Sequence, residues 1–155
     1  MRSITARLFV GTAFAAIGMF GADSTLGTWK FNAAKSKTAA GFQIKQQTDV
    51  REATPDGSVK VTRTGQMVDG TAVNFSFTYK YDGKKYPVTG GPFDTLSVKR
   101  TDTNTTTWEA SKSGGKYHAK GKTVISADGK TMTQSASGTD AEGKPLSMTL
   151  VFDKQ

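Results

Sequence analysis

Cysteine is absent from the 155 residues, histidine occurs once, proline four times, and acidic residues are outnumbered, 13 Asp and Glu against 21 Lys and Arg. Each scarcity removes a class of function. Without Cys there is no disulfide framework, no thiolate metal site, no thiol nucleophile and no cysteine to carry a lipid. With His118 as the single imidazole, the common nucleophile and base constellations lack members. No paired-carboxylate or metal-ligand spacing stands out, because most acidic residues fall in turns. The sequence therefore predicts no enzyme, and assigns no catalytic residue, no metal site and no cofactor.

What remains is a chain rich in strand formers and turn formers. The apolar fraction of 35%, with 10% aromatics, is enough for a packed core, and 17 glycines imply many turns. The formal net charge of +8 is spread over Lys84-Lys85, Lys99-Arg100 and the lysines from Lys112 to Lys122. It reads as a solvated outer face, with peripheral contact to anionic envelope surfaces as its functional alternative.

Residues 1–22 read as an address. Arg2 and Arg7 provide a charged start, and Leu8 to Phe20 is an apolar run without Asp, Glu, Lys or Arg. That run is shorter than the ~20 residues a spanning helix needs, so a cleaved secretory signal is expected rather than an anchor. The expectation is a domain over residues 23–155 in a secreted or periplasmic protein, which argues against a nucleic-acid partner.

Asp56-Gly57, Asp69-Gly70 and Asp82-Gly83 fall 13 residues apart, and Asp128-Gly129 and Glu142-Gly143 fall 14 apart. Asp-Gly suits the two-residue type I′ hairpin turn, in which both central residues take positive φ. The intervals are strand-length, show no sustained helical period, and are crowded with Thr, Val and aromatic residues. Nine or ten strands follow, near 26–31, 42–52, 58–67, 72–81, 85–88, 95–100, 105–111, 116–126, 130–138 and 145–153, the count turning on the short 85–88 interval. Tight turns make them an antiparallel meander. With one apolar face throughout, such a meander is best accommodated as an all-β, single antiparallel up-and-down β-barrel, which removes exposed edges. A two-sheet sandwich is the alternative, but needs longer crossovers.

Leu26-Gly27-Thr28-Trp29-Lys30-Phe31 resembles the first strand of the calycin superfamily, the lipocalins and fatty-acid-binding proteins, whose barrels open with GxW. More closely, Leu26 to Lys37 resembles the LGTWKxNxAKSK start of small secreted bacterial proteins of uncharacterised function. Tyr81-Asp82-Gly83-Lys84, Tyr86-Pro87-Val88-Thr89-Gly90 and Asp128-Gly129-Lys130-Thr131-Met132 extend that likeness. The resemblance implies a lipocalin-like barrel in which Gly27 lets the chain cross beneath the floor and Trp29 covers it. It does not transfer a ligand site. Fatty-acid-binding proteins hold a carboxylate with an Arg-x-Tyr pair on the last strand, where this chain has Leu150-Val151-Phe152.

The alternation along each strand assigns inward residues. Val73, Phe75, Phe77, Tyr79 and Tyr81 share one face; Arg63 falls in line with Val59, Val61 and Met67, and Arg100 with Leu96 and Val98. The same parity points Gln46 and Thr48 inward beside Ile44 and Val50, and Gln134 beside Met132. Small inward residues, Ala110, Ala119, Gly121, Ala136 and Gly138, oppose bulky ones such as Trp108. An inward arginine in an apolar wall requires a partner, solvent or a ligand, unless a β-bulge reverses the parity. The candidate ligand-binding set is thus Arg63, Arg100, Phe75, Phe77, Tyr79, Trp108 and Gln134. The expected function is binding of a small apolar or amphipathic molecule. The alternative is an envelope or extracellular interaction protein acting through its basic outer surface with no internal ligand.

Overall fold

Thr, Val and aromatic residues at alternate positions produce ten strands among the described residues: β1 (Gly27–Phe31), β2 (Ile44–Ala53), β3 (Val59–Met67), β4 (Ala72–Tyr79), β5 (Asp82–Pro87), β6 (Thr95–Arg100), β7 (Thr105–Ser111), β8 (His118–Ile125), β9 (Thr131–Thr139) and β10 (Pro145–Lys154). The computed structural model describes residues 23–39 and 42–155; the leader read from residues 1–22 lies outside the described residues. Every named pairing is antiparallel. The order β4-β3-β2-β1-β10-β9-β8-β7-β6-β5 carries the meander around a nearly closed barrel. Its two end strands, β4 and β5, approach at the bridge between Phe77 and Val88. The segment from β1 to β2 holds only a short 3-10 turn, Ala33–Lys35, among its described residues.

The hairpin turns differ from the type I′ expectation. Gly57, Gly70, Gly129 and Gly143 do take positive φ, as does Gly83, but among the described residues none other than glycine does; Asp82 and Gly83, expected in a turn ahead of a strand over 85–88, instead open β5, where the β5–β6 register shifts between Asp82 and Lys85. In the β2–β3 turn Gly57 N–H donates to the Thr54 carbonyl at 3.0 Å and Thr54 N–H to the Ser58 carbonyl at 2.9 Å. This is a type I turn closed by a left-handed glycine. The aspartate stays at negative φ because its carboxylate is used locally: Asp56, Asp69 and Asp128 each accept the backbone N–H two residues on, at 3.2, 2.9 and 3.0 Å.

A second departure decides what lines the interior. The β2–β3 register shifts between Ile44 and Gln46, and one extra residue reverses the facing of all that follows. Gln47, Asp49 and Arg51 are buried, whereas Gln46 is exposed and Thr48 and Val50 are only half-buried. The inward parity read for Gln46, Thr48 and Val50 is therefore corrected. Elsewhere it holds: Val59 and Val61 on β3, Phe75, Phe77 and Tyr79 on β4, and Leu96 and Val98 on β6 are buried.

The floor is built from the GxW segment. Trp29 is fully buried, packed with Ile125, Met132, Leu150 and Phe152. Its Nε1 donates to the Thr25 carbonyl at 2.8 Å, satisfying the polar tip that a buried indole must place. Lys154 Nζ lies 5.1 Å from the centroid of the Trp29 ring.

Candidate functional site

The barrel encloses a cavity of about 430 Å³, within the range of small-molecule sites. Exposed Thr71, Ala72, Gly90 and Pro92 line its outer part. Its mouth therefore lies between the β3–β4 turn and the β5–β6 loop, at the end of the barrel away from the Asp23–Leu26 segment. Phe42, Met67, Val73 and Phe93 continue inward from that mouth. Phe75, Phe77 and Phe93 form a contiguous aromatic wall, with Phe93 edge-on to the other two at centroid separations of 6.1 and 6.3 Å.

The structure brings Arg63, Phe75, Phe77, Tyr79, Trp108 and Gln134 to this one cavity. Arg100 is placed elsewhere. It lies at the floor end, where its Nη2 is 2.8 Å from Asp23 Oδ2 and its guanidinium lies 4.0 Å from the Tyr81 ring centroid. Tyr81 also donates to Asp23 Oδ2 at 3.0 Å. Burial pushes the Asp23 carboxyl up, but hydrogen bonds from Thr25 and Arg100 and the Arg100 charge outweigh it, leaving the group below its ordinary value. This cluster fastens the Asp23–Leu26 segment to the floor. Arg100 is not among the residues that line the cavity.

Arg63 is inward and already paired. Its Nε donates to Asp49 Oδ1 at 2.9 Å and its Nη2 to Asp49 Oδ2 at 2.7 Å, the fork geometry in which guanidinium and carboxylate match best. The pairing follows from register, since Asp49 and Arg63 face each other across β2 and β3. Arg63 also lies 5.7 Å from the ring centroids of both Phe75 and Phe77. Gln47 Nε2 donates to Asp49 Oδ1 at 3.0 Å. Burial pushes the Asp49 carboxyl up; the Arg63 charge and hydrogen bonds, with Arg51 and Gln47 assisting, outweigh it and hold the group below the usual carboxylate value. Tyr117, a further wall residue, is raised by burial, opposed by the nearby Arg63 charge.

Gln47, Asp49 and Arg51 were hidden from the sequence by the bulge. One signal pointed to them: an inward Arg63 needs a carboxylate on a neighbouring strand, and Asp49 on β2 lies outside any turn. On the other wall, Thr106 pairs with Thr123 and Thr123 with Gln134, so β7, β8 and β9 present a row of two hydroxyls and an amide to the cavity. β2 and β7 stand five places apart in the ten-strand order, so the two polar sets face each other across the barrel.

The small inward residues are partly filled by their neighbours. A Cβ at Gly121 would come 2.8 Å from Trp108 Cζ2 and collide with the Ser135 carbonyl oxygen, so the Trp108 indole lies over Gly121. Ala110, Ala119 and Ala136 are buried, and Ala110 and Ala136 still border open space.

No protein-family model matches the chain, nor does any curated protein sequence. Solved structures do. A point mutant of the fluorescent protein UnaG is similar, with a TM-score of 0.55 and 10% identity over 85% of this chain and 96% of that one. Wild-type UnaG gives 0.54 and 9% identity, covering 85% and 98%. The zebrafish ileal bile acid-binding protein, complexed with cholic acid, gives 0.50 and 14% identity, covering 85% and 99%. The likeness is one of fold: this chain is a nearly closed antiparallel up-and-down barrel, as these neighbours are.

Proposed function

We propose that this chain is a small-molecule binding protein that takes an elongated apolar or amphipathic molecule into its barrel. The observation that carries the reading is the 430 Å³ cavity, whose wall is largely apolar and aromatic, with Thr71 and Asn74 at the rim and its charged groups, Arg51 and Arg63, inside. Apolar walls supply affinity and a few fixed polar groups supply orientation. A ten-methylene chain buried there contributes up to ~8 kcal/mol gross at ~0.8 kcal/mol per CH₂, before immobilisation costs. The bile acid-binding neighbour holds an amphipathic molecule on the same fold, which supports the class of ligand without choosing one. Arg2, Arg7 and the apolar run Leu8 to Phe20 support a secreted or periplasmic location.

The experiment is a titration with an uncharged environment-sensitive fluorophore, alongside an Ala136→Phe variant that fills the cavity from β9. The reading expects saturable one-site binding that the variant weakens at least tenfold. Non-saturable binding, or equal binding by the folded variant, would refute it. The second reading, action through the outer surface, draws on Lys99, Lys120 and Lys122 around a shallow depression on the outside of β6 to β9. Saturable binding to anionic vesicles, with no uptake of the fluorophore, would favour that reading.

A further inference from the structure

Two guanidinium groups and one carboxylate meet inside the barrel. Asp49 is completely buried, Arg51 is 6% exposed, and Arg63 is held by Asp49 through both hydrogen bonds of the fork. Arg51 is served less well. Its Nη2 stands 3.8 Å from Asp49 Oδ2, beyond hydrogen-bonding distance, and its buried Nε has no hydrogen-bond partner among the described residues. Within 4 Å of either guanidinium, Asp49 is the only carboxylate among the described residues. Because arginine stays charged in proteins, this region carries one positive charge more than it neutralises. An unpaired buried charge is costly and persists where a ligand or water completes it.

Arg51 lines the cavity near the floor end of β2, on the same face of the strand as Asp49 and closer to the β2–β3 turn. Across from it, Thr106 and Thr123 lie near the floor ends of β7 and β8 and also line the cavity. The mouth, at the opposite end, carries no charged side chain: Thr71, Ala72, Asn74, Gly90 and Pro92 line it. We infer that the ligand is a singly charged anionic amphiphile, a long-chain carboxylate or sulfonate, which enters head first. Its head group accepts hydrogen bonds from Arg51, with the Thr106 and Thr123 hydroxyls facing it, while its chain lies along Phe75, Phe77 and Phe93 toward the mouth.

A single charge is specified because one surplus cation remains after Asp49 is paired. A dianionic phosphate monoester would leave the apolar wall with an excess of negative charge instead. Arg63 acts as a positioning residue: by occupying Asp49 it leaves Arg51 free to serve the ligand. Arg51 thus takes the role that the sequence alone gave to Arg63 or Arg100. This inference rests on the binding function proposed above, and its test separates the two.

The experiment compares decanoate, decanol and decyltrimethylammonium by calorimetry or by displacement of the uncharged fluorophore, in the wild-type chain and in Arg51→Met and Arg51→Lys. The wild type should bind decanoate at least tenfold more tightly than decanol, and should bind the cation worst. Arg51→Met should reduce the carboxylate-to-alcohol ratio to about one; Arg51→Lys should restore part of the preference. Carbon-13 NMR of carboxyl-labelled decanoate on the wild type gives a readout independent of variant folding, with the bound carboxyl titrating below its free value. Equal binding of decanoate and decanol by the wild type would overturn the anionic assignment and leave the cavity reading intact. A preference that survives in folded Arg51→Met would overturn the assignment to Arg51. Failure of all three probes to bind would instead count against the binding function itself.

Discussion

Arg63 holds Asp49 through two parallel hydrogen bonds, Nε to Oδ1 at 2.9 Å and Nη2 to Oδ2 at 2.7 Å, with Asp49 fully buried inside the barrel wall. The pair arises because β2 and β3 place the two residues directly opposite each other. Arg51 shares the same carboxylate at longer range, so the three side chains have to be considered together.

Asp49→Asn keeps the side-chain shape but leaves two buried guanidinium groups without a carboxylate. Its expected cost is about 3–5 kcal/mol, the range for breaking a buried pair from one side. Arg63→Met removes one surplus charge and leaves Asp49 matched by Arg51, so it should cost less than Asp49→Asn. Urea denaturation of both variants checks the order; the reverse order would contradict the charge count.

Acid should weaken the floor in a defined direction. Asp23 is held below its ordinary value by Thr25 and Arg100 despite its burial. A carboxylate whose folded-state value is lowered contributes its full stability above the unfolded value of about 3.9 and loses it as pH falls through the folded value. Urea midpoints should therefore be nearly flat from pH 7 to 5 and fall below about pH 4. Asp23→Asn should lower the midpoint at pH 7 and flatten the decline at low pH, narrowing the gap to wild type as acid is added.

Trp29 is fully buried and its indole nitrogen is satisfied by Thr25. Trp29→Ala should cost about 3–5 kcal/mol, as for emptying a large aromatic site. Trp29→Phe keeps most of the packing and loses the hydrogen bond, so thermal melts should place it between wild type and the alanine variant.

Gly121 has no room for a side chain, since Trp108 and the Ser135 carbonyl occupy the space. Gly121→Ala should destabilise the barrel by about 1–3 kcal/mol, the range for overpacking. It should also shift Trp108 fluorescence while the fully buried Trp29 stays unchanged; a variant containing Trp108→Phe assigns the signal.

Strand positions were legible because the two signals that define them, apolar alternation and turn residues, are local. Val73 to Tyr81 and the Asp-Gly series located β3, β4, β9 and β10 to within a few residues. What local signals could not reveal was a single inserted residue near Ile44 and Gln46. A bulge costs little locally yet inverts a whole strand, so Val50 read as an inward apolar residue when Asp49 and Arg51 are the inward pair. Arg63 was read as inward from the pattern of its own strand, but its partner was not, because pairing depends on the register of the next strand. Arg100 was inward by parity too; its position at the end of β6 placed it on the Asp23 cluster, since the conformation of residues 23–26 carries no periodic signal.

Methyl NMR reads at the wall itself whether the space inside the barrel receives the ligand. Protein labelled with carbon-13 at Met and Ala methyls reports Met67, Met148, Ala110 and Ala136 on the cavity wall and Ala53, Ala127 and Ala141 on the outside. Titration with decanoate should move the four wall methyls to saturation and leave the three outer ones in place. Shifts confined to the outer methyls, or no saturable shift at any wall methyl, would mean that no ligand enters the barrel.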